Sequence, residues 1–351
     1  MKINFLLIAA ITVLFFACDD EDIKSKGEYE TGVLIANEGG FGKNTASITH
    51  YNSATEEVEQ NIFVKAPLAF AGDVLQSISF SGDNAYLILN GSNKVEIANA
   101  FSFESTATFI DEDLVSPRYL EVINNKAYIS VWGPYDENFS LIDSYVMVVN
   151  LADNSVITKI DTDEGCENMR VANNKLFVSN YNYGSSNTIA VINPVSNTII
   201  DQVEVGAGPA DMVVDKNGKL WVLCTGSWTG DPAKLVRINT SSLALEEEIE
   251  LSVSPSTDLA ITADGSTLLY RDDADIYSLD IAATTEPANV LFTAEDVLYP
   301  YALNIDPATG DIWIGDALSF ASDGKAYVYS STGVFKKTID VGVGPTQFIF
   351  R

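Results

Sequence analysis

Few residues in this 351-residue chain are of the types that usually carry out chemistry. There is one histidine, His50, and there are three cysteines, Cys18, Cys166 and Cys224. A lone histidine removes most His-based catalytic triads and every multi-histidine metal site. His50 falls in the alternating run ASITHY, where a structural role in a strand is expected. Cys166 and Cys224 can form one disulfide in an exported protein or serve as two small buried hydrophobes, and the sequence leaves both readings open. What the chain offers in quantity is aromatic. Phe41, Trp132, Tyr135, Phe139, Tyr181, Tyr183, Trp228 and Phe320 all lie in segments rich in Gly, Ser, Asn and Asp. Rings in loops have no core to fill, so they either stack on a ligand or fold down over their own loops. The chemistry to look for is therefore recognition of a flat apolar face with a polar rim. Arg118, Arg271, Asp136, Asp211 and Asp316 are candidates for that rim, and Tyr301 and Gln347 are further polar candidates.

The charge balance narrows the partners. With 49 Asp and Glu against 20 Lys and Arg, the net charge is −29. Phosphate backbones need clustered cations, so nucleic acid is not an expected partner. Acidic loops supply the oxygen ligands that Ca²⁺ prefers, so a Ca²⁺-dependent lactonase-like enzyme remains an alternative. No acid pair stands at a recognisable catalytic spacing, and a non-enzyme is the expectation.

The elements that must position these residues are written as a repeat. Ile78 in QSISF, Leu120 in RYLEV, Met169 in ENMRV, Met212 in ADMVV, Leu259 in TDLAI, Leu303 in YALNI and Phe348 in TQFIF are spaced by 42, 49, 43, 47, 44 and 45 residues. A period in the forties made of short β-type runs is that of a propeller blade. The second run of each unit, such as NAYLIL, KAYISV and KLWVLC, follows turn residues such as Asn124-Asn125, Asn173-Asn174 and Asn217-Gly218, which accept the positive φ of tight hairpins. The fourth run is the most polar and suits a charged outer edge. The chain ends after one run and begins with the other three. This predicts an all-β, seven-bladed propeller over 31–351, closed by Thr346–Phe350 joining the blade of residues 31–64. The loops between second and third strands, and those leading into each inner strand, then share one face.

The N-terminus reads as an address. Lys2 and a 13-residue apolar run, Phe5 to Ala17, form a signal peptide over 1–17, too short to span a bilayer. Cys18 follows directly and is the expected lipidation site, although Phe15 and Phe16 are bulkier than usual there. The acidic stretch over 18–30 reads as a tether, and the acyl chains must hold so anionic a domain at a membrane.

The phrases LIANEGGFGKNTASITHYN, SPRYLEVINNKAYISVWG and VGAGPADMVVDKNGKLWVLCTG resemble the YncE-like seven-bladed propellers of bacteria. Within that type they look most similar to surface lipoproteins that capture cobalamin and pass it to a TonB-dependent outer-membrane transporter. The resemblance implies a lipid-anchored, surface-exposed outer-membrane protein whose ligand is a corrinoid. Phe41, Arg118, Trp132, Tyr135, Tyr181, Tyr183, Asp211, Trp228, Arg271, Tyr301 and Asp316 are the candidate contacts. The chain departs from the type at GCENMR and SPSTDL, both on the loop face. A protein-interaction scaffold with another cargo is the alternative. The address itself is testable: in the native host, Cys18→Ser abolishes incorporation of labelled palmitate, and retained label would remove the anchor.

Overall fold

The structure, a computed structural model, describes residues 25–63 and 71–351. The expected leader, Cys18 and the tether up to residue 24 lie outside the described residues. Apart from one short 3₁₀ turn, Asn182–Gly184, the regular elements described are strands. They form seven four-stranded antiparallel sheets, and within each sheet the strands are neighbours in order. The protein is a seven-bladed β-propeller. The innermost strands are Leu75–Ser81 in blade 2, Pro117–Ile123 in blade 3, Cys166–Ala172 in blade 4 and Pro209–Val214 in blade 5. Those of blades 6 and 7 are Leu259–Ile261 and Pro300–Ile305.

Blade 1 is made from both ends of the described chain. Pro345–Phe350 pairs with Val33–Asn37, in the register Val33 to Phe350 and Ile35 to Phe348. Backbone bonds between Gly32 and Arg351 extend the seam. The domain starts earlier than residue 31. Tyr29 is buried in the core between blades 1 and 2, its N–H donating to Phe101 O at 3.0 Å. Gly27 lies so close to Phe101 that a Cβ there would come within 2.7 Å of its carbonyl.

The turns follow the sequence. Asn124 and Asn125, with φ of 50° and 60°, close the first hairpin of blade 3, and Asn173 and Asn174 repeat this in blade 4 with 46° and 58°. Inner and middle strands are buried on both faces, because each blade is sandwiched between two others. The apolar side chains accordingly sort into seven clusters, one per blade–blade interface. Outer strands such as Thr198–Glu204 are mostly exposed. Cys166 and Cys224 belong to different interfaces and are both free thiols. Of the two readings, the structure keeps the buried hydrophobe, and burial pushes the Cys166 thiol up to about 12. His50 is buried and donates from Nε2 to Thr31 O at 2.8 Å, away from the loop face.

Phe348 is the anchor of the seam, buried against Trp313 with ring centroids 5.6 Å apart. Truncating it leaves a cavity at the joint that closes the ring. Phe348→Ala is expected to cost about 3–5 kcal/mol in denaturant unfolding, and a loss within experimental error would mean that the terminal strand does not hold the ring.

Candidate functional site

The alternation of a regular strand would bury every second inner-strand residue in one interface or the other. A β-bulge breaks that alternation where six of the seven inner strands begin. Register shifts fall between Leu75 and Ser77, Pro117 and Leu120, Cys166 and Met169, Pro209 and Asp211, Pro300 and Ala302, and opposite Ala36–Asn37 at Thr346. A bulge inserts an unpaired residue and re-aims its side chain. The residues within these shifts, Gln76, Arg118, Tyr119, Glu167, Asn168, Ala210, Tyr301 and Thr346, line one cavity of about 400 Å³ on the axis. Blade 6 has no bulge, and contributes Thr257 and Asp258 from the segment before its short inner strand. This is the SPSTDL departure seen in the sequence.

Two walls flank the cavity. On blades 3 and 4, Arg118 forms a fork on Glu167, with Nε to Oε2 at 2.9 Å and Nη2 to Oε1 at 2.8 Å. The guanidinium also stacks 4.0 Å from the Trp132 ring. Tyr183 meets the other part of this group edge-on at 5.2 Å, and its hydroxyl lies 3.2 Å from that of Tyr135. Tyr183 holds the left-handed φ of 51°, inside the Asn182–Gly184 turn, and Tyr181 lines the cavity beside it. On the far side, Phe320 stands perpendicular to Tyr301 at 4.7 Å, and the Tyr301 hydroxyl donates to Glu38 Oε1 at 2.9 Å. Phe41 also lines the cavity and is 85% exposed.

Burial sets the electrostatics of the lining. It pushes the carboxyls of Glu38, Asp211 and Asp258 above their ordinary range, outweighing the pull of Tyr301, Arg170 and Arg271 respectively. Glu121, lower in the channel, is raised in the same way. Burial alone would lower Arg118, but the Glu167 carboxylate more than reverses this and holds the guanidinium charged.

Phe41, Arg118, Tyr181, Asp211 and Tyr301 thus line the cavity, and Trp132, Tyr135 and Tyr183 form the wall behind them. The other expectations need correction. Asp316 is fully buried, and its oxygens accept the N–H groups of Leu298, Tyr299 and Leu318 at 2.9 Å, so it ties a loop and cannot reach a ligand. Arg271 is buried behind the lining, paired with Asp258 at 2.7 Å. Trp132 is 4% exposed and roofed by Tyr183, not a loop tip. Trp228 is 94% exposed but lies beside a separate groove between blades 4 and 5. Asp211 lines the cavity, yet it accepts bonds from Met212 N, Leu259 N and Arg170, joining three blades. Asp136 caps its own loop through Asn138 N and Ser140 N. Gln347 brackets the Ile78 backbone in blade 2. The sequence reading missed Glu38, Gln76, Tyr119, Glu167, Asn168 and Asp258 as lining residues. Three of them, Tyr119, Glu167 and Asn168, follow the Pro or Cys that opens an inner strand, a signal visible once the bulge is known.

The family described as a domain of unknown function, DUF5074, matches residues 31–348. The chain belongs to DUF5074. No curated protein matches this sequence. Among solved structures, this DUF5074 chain is similar to a quinonprotein alcohol dehydrogenase-like protein from Bacteroides thetaiotaomicron, with TM-score 0.70 and 14% identity over 93% of this chain and 79% of that one. A functionally unknown protein from Desulfotomaculum acetoxidans gives 0.65 and 11% over 91% and 98%. Kuenenia stuttgartiensis hydrazine synthase gives 0.58 and 14% over 81% and 90%. At these identities the likeness concerns the fold alone.

The raised carboxyls make stability depend on pH in a definite direction. A carboxyl that ionises less readily when folded contributes stability below its unfolded pKa and loses it as pH rises through the folded value. Asp264, pulled down to about 2 by Ser266 and Thr262, acts in the opposite sense and matters only in strong acid. Acidifying the solution from about pH 8 toward the ordinary carboxylate range should therefore raise the DUF5074 domain's Tm in calorimetry. A Tm that falls over that interval would contradict the burial assigned to Glu38, Glu121, Asp211 and Asp258.

Proposed function

We propose that the axial cavity and its rim capture a planar, amphipathic small molecule, and that a corrinoid such as cobalamin is that ligand. The observation that carries this reading is the set of rings that line the cavity beside its polar groups. Phe41, Tyr119, Tyr181, Tyr301 and Phe320 line it, and Tyr183 and Tyr135 stand behind them over the buried Trp132. Such an arrangement stacks ring faces on an apolar plane, while Gln76, Asn90 and Asn168 meet its polar edge. A cavity of about 400 Å³ seats only part of a corrinoid, and the exposed Phe41 and Tyr183 cover the remainder. The buried indole N–H of Trp132 has no hydrogen-bond partner among the described residues, which leaves a donor unused beside the cavity.

The reading is of a binder and not an enzyme, because three of the four lining carboxyls, Glu167, Asp211 and Asp258, are each engaged by an arginine and so poorly placed to transfer protons. Anchored through Cys18 in the outer membrane, the protein would hand its ligand to a TonB-dependent transporter. One observation favours a protein-scaffold role beside this. Trp228 and Phe139, 94% and 87% exposed, stand on the loop face outside the cavity lining and suit contact with a transporter.

Titration of the full chain in detergent with cyanocobalamin, haem and glycans tests the ligand by tryptophan fluorescence. A corrinoid is expected to bind 1:1, and Phe41→Ala and Tyr183→Ala should each weaken it about tenfold. Trp228→Ala should leave that affinity unchanged and weaken association with the transporter. Absence of corrinoid binding, or binding indifferent to both cavity variants, would overturn the assignment.

A further inference from the structure

The carboxyls that line the cavity are Glu38, Glu167, Asp211 and Asp258. Three are matched by a cation: Glu167 by Arg118 at 2.8 Å, Asp211 by Arg170 at 3.3 Å and Asp258 by Arg271 at 2.7 Å. Glu38 stands apart. Among the described residues its side chain takes one hydrogen bond, from the Tyr301 hydroxyl to Oε1, and no ion pair. Its second oxygen has no hydrogen-bond partner among the described residues. The backbone around it is fixed, with its N–H donating to Gly344 O at 2.9 Å and its carbonyl accepting from Leu75 N at 3.3 Å. The side chain is therefore held at the cavity wall by the ring's own seam.

We propose that Glu38 is the selectivity group of this cavity, bonding a carboxamide on a planar ligand and rejecting a carboxylate in the same position. A carboxamide carries both an N–H and a C=O, so it satisfies the free oxygen of Glu38 whether that oxygen is ionised or protonated. A ligand carboxylate meets an ionised Glu38 as a like charge in a partly desolvated site, with no spare cation to offset it. Arg118 is the cation lining the cavity, and its fork is already occupied by Glu167. The other groups near Glu38, namely Val74, Gln76, Phe320 and Thr346, carry no charge. The titratable groups acting on it are Tyr301 from blade 7 and Arg118 from blade 3. On its own loop Lys43 is exposed, and Gly42 N–H is held by Asp73. Because burial raises the Glu38 carboxyl, the discrimination should fade as the solution is acidified.

This inference rests on the cavity being a ligand site, but not on the ligand being a corrinoid. The test uses the full chain in detergent with 2-naphthamide and 2-naphthoate, two planar probes differing in that one group, followed by ligand-observed NMR. At about pH 7.5 the amide is expected to bind tenfold or more tightly than the carboxylate, and the ratio should shrink as the solution is acidified. Glu38→Gln keeps an acceptor for Tyr301, and should raise the affinity for naphthoate and remove the pH dependence of the ratio. Equal affinities at pH 7.5, an unchanged ratio and pH slope in Glu38→Gln, or no binding of either probe would each overturn the proposal. Failure of cyanocobalamin to bind while the naphthyl discrimination holds would sink the corrinoid assignment and leave Glu38 in its role.

Discussion

Everything in this molecule depends on the pairing of Pro345–Phe350 with Val33–Asn37. Seven sheets packed face to face leave two bare faces unless the first and last meet, and that joint is made here by strands from opposite ends of the chain. The apolar cluster under it joins Val33, Ile35 and Tyr51 to Trp313, Val341 and Phe348, so the contact is a full interface and not a latch. Glu38 and Tyr301 reach each other only because this joint closes, since they lie on the two blades that it brings together.

Closure creates an axis, and the bulges decide what stands around it. In every blade but the sixth the inner strand begins with one extra residue, which turns a side chain out of the interblade core and toward the channel. Pro117, Pro209, Pro300 and Pro345 open four of these strands, where a missing N–H is tolerated. The result is a ring of polar groups held mostly on strands, with Glu38, Thr257 and Asp258 on the segments that flank them. Such groups are less free to adapt than loop residues, and most of them satisfy one another. Arginine and carboxylate pairs therefore bridge blades at the floor, while the aromatic walls are supplied by the longer loops of blades 1, 3, 4 and 7.

The fold was largely legible. A propeller blade is a local antiparallel meander, so period-two runs, Asn-Asn turns and a repeat in the forties mark it without reference to distant residues. Even the closure could be read, since one end lacked the strand that the other supplied. The site was legible only in part. Arg118, Tyr301 and Phe41 were visible as polar or aromatic residues near the rim. Asp316 and Arg271 looked equivalent to them, yet both are buried, because a loop carboxylate can turn back to cap its own backbone and an arginine can pair behind the lining. Trp132 and Trp228 likewise occupy similar sequence contexts, and one is roofed while the other stands in solvent.

The sequence by itself determined the number of blades, the turns and the order of strands, because these follow from periodicity and from residues that tolerate positive φ. The tertiary structure alone decided which side chains face the axis. That choice depends on a one-residue bulge, which reverses the inward and outward sense of a strand without changing its composition. It also decided which charges are balanced. Balance is a property of neighbours distant in the sequence or on different blades, and Glu38 is left unmatched only once the arginines around the cavity have found their partners.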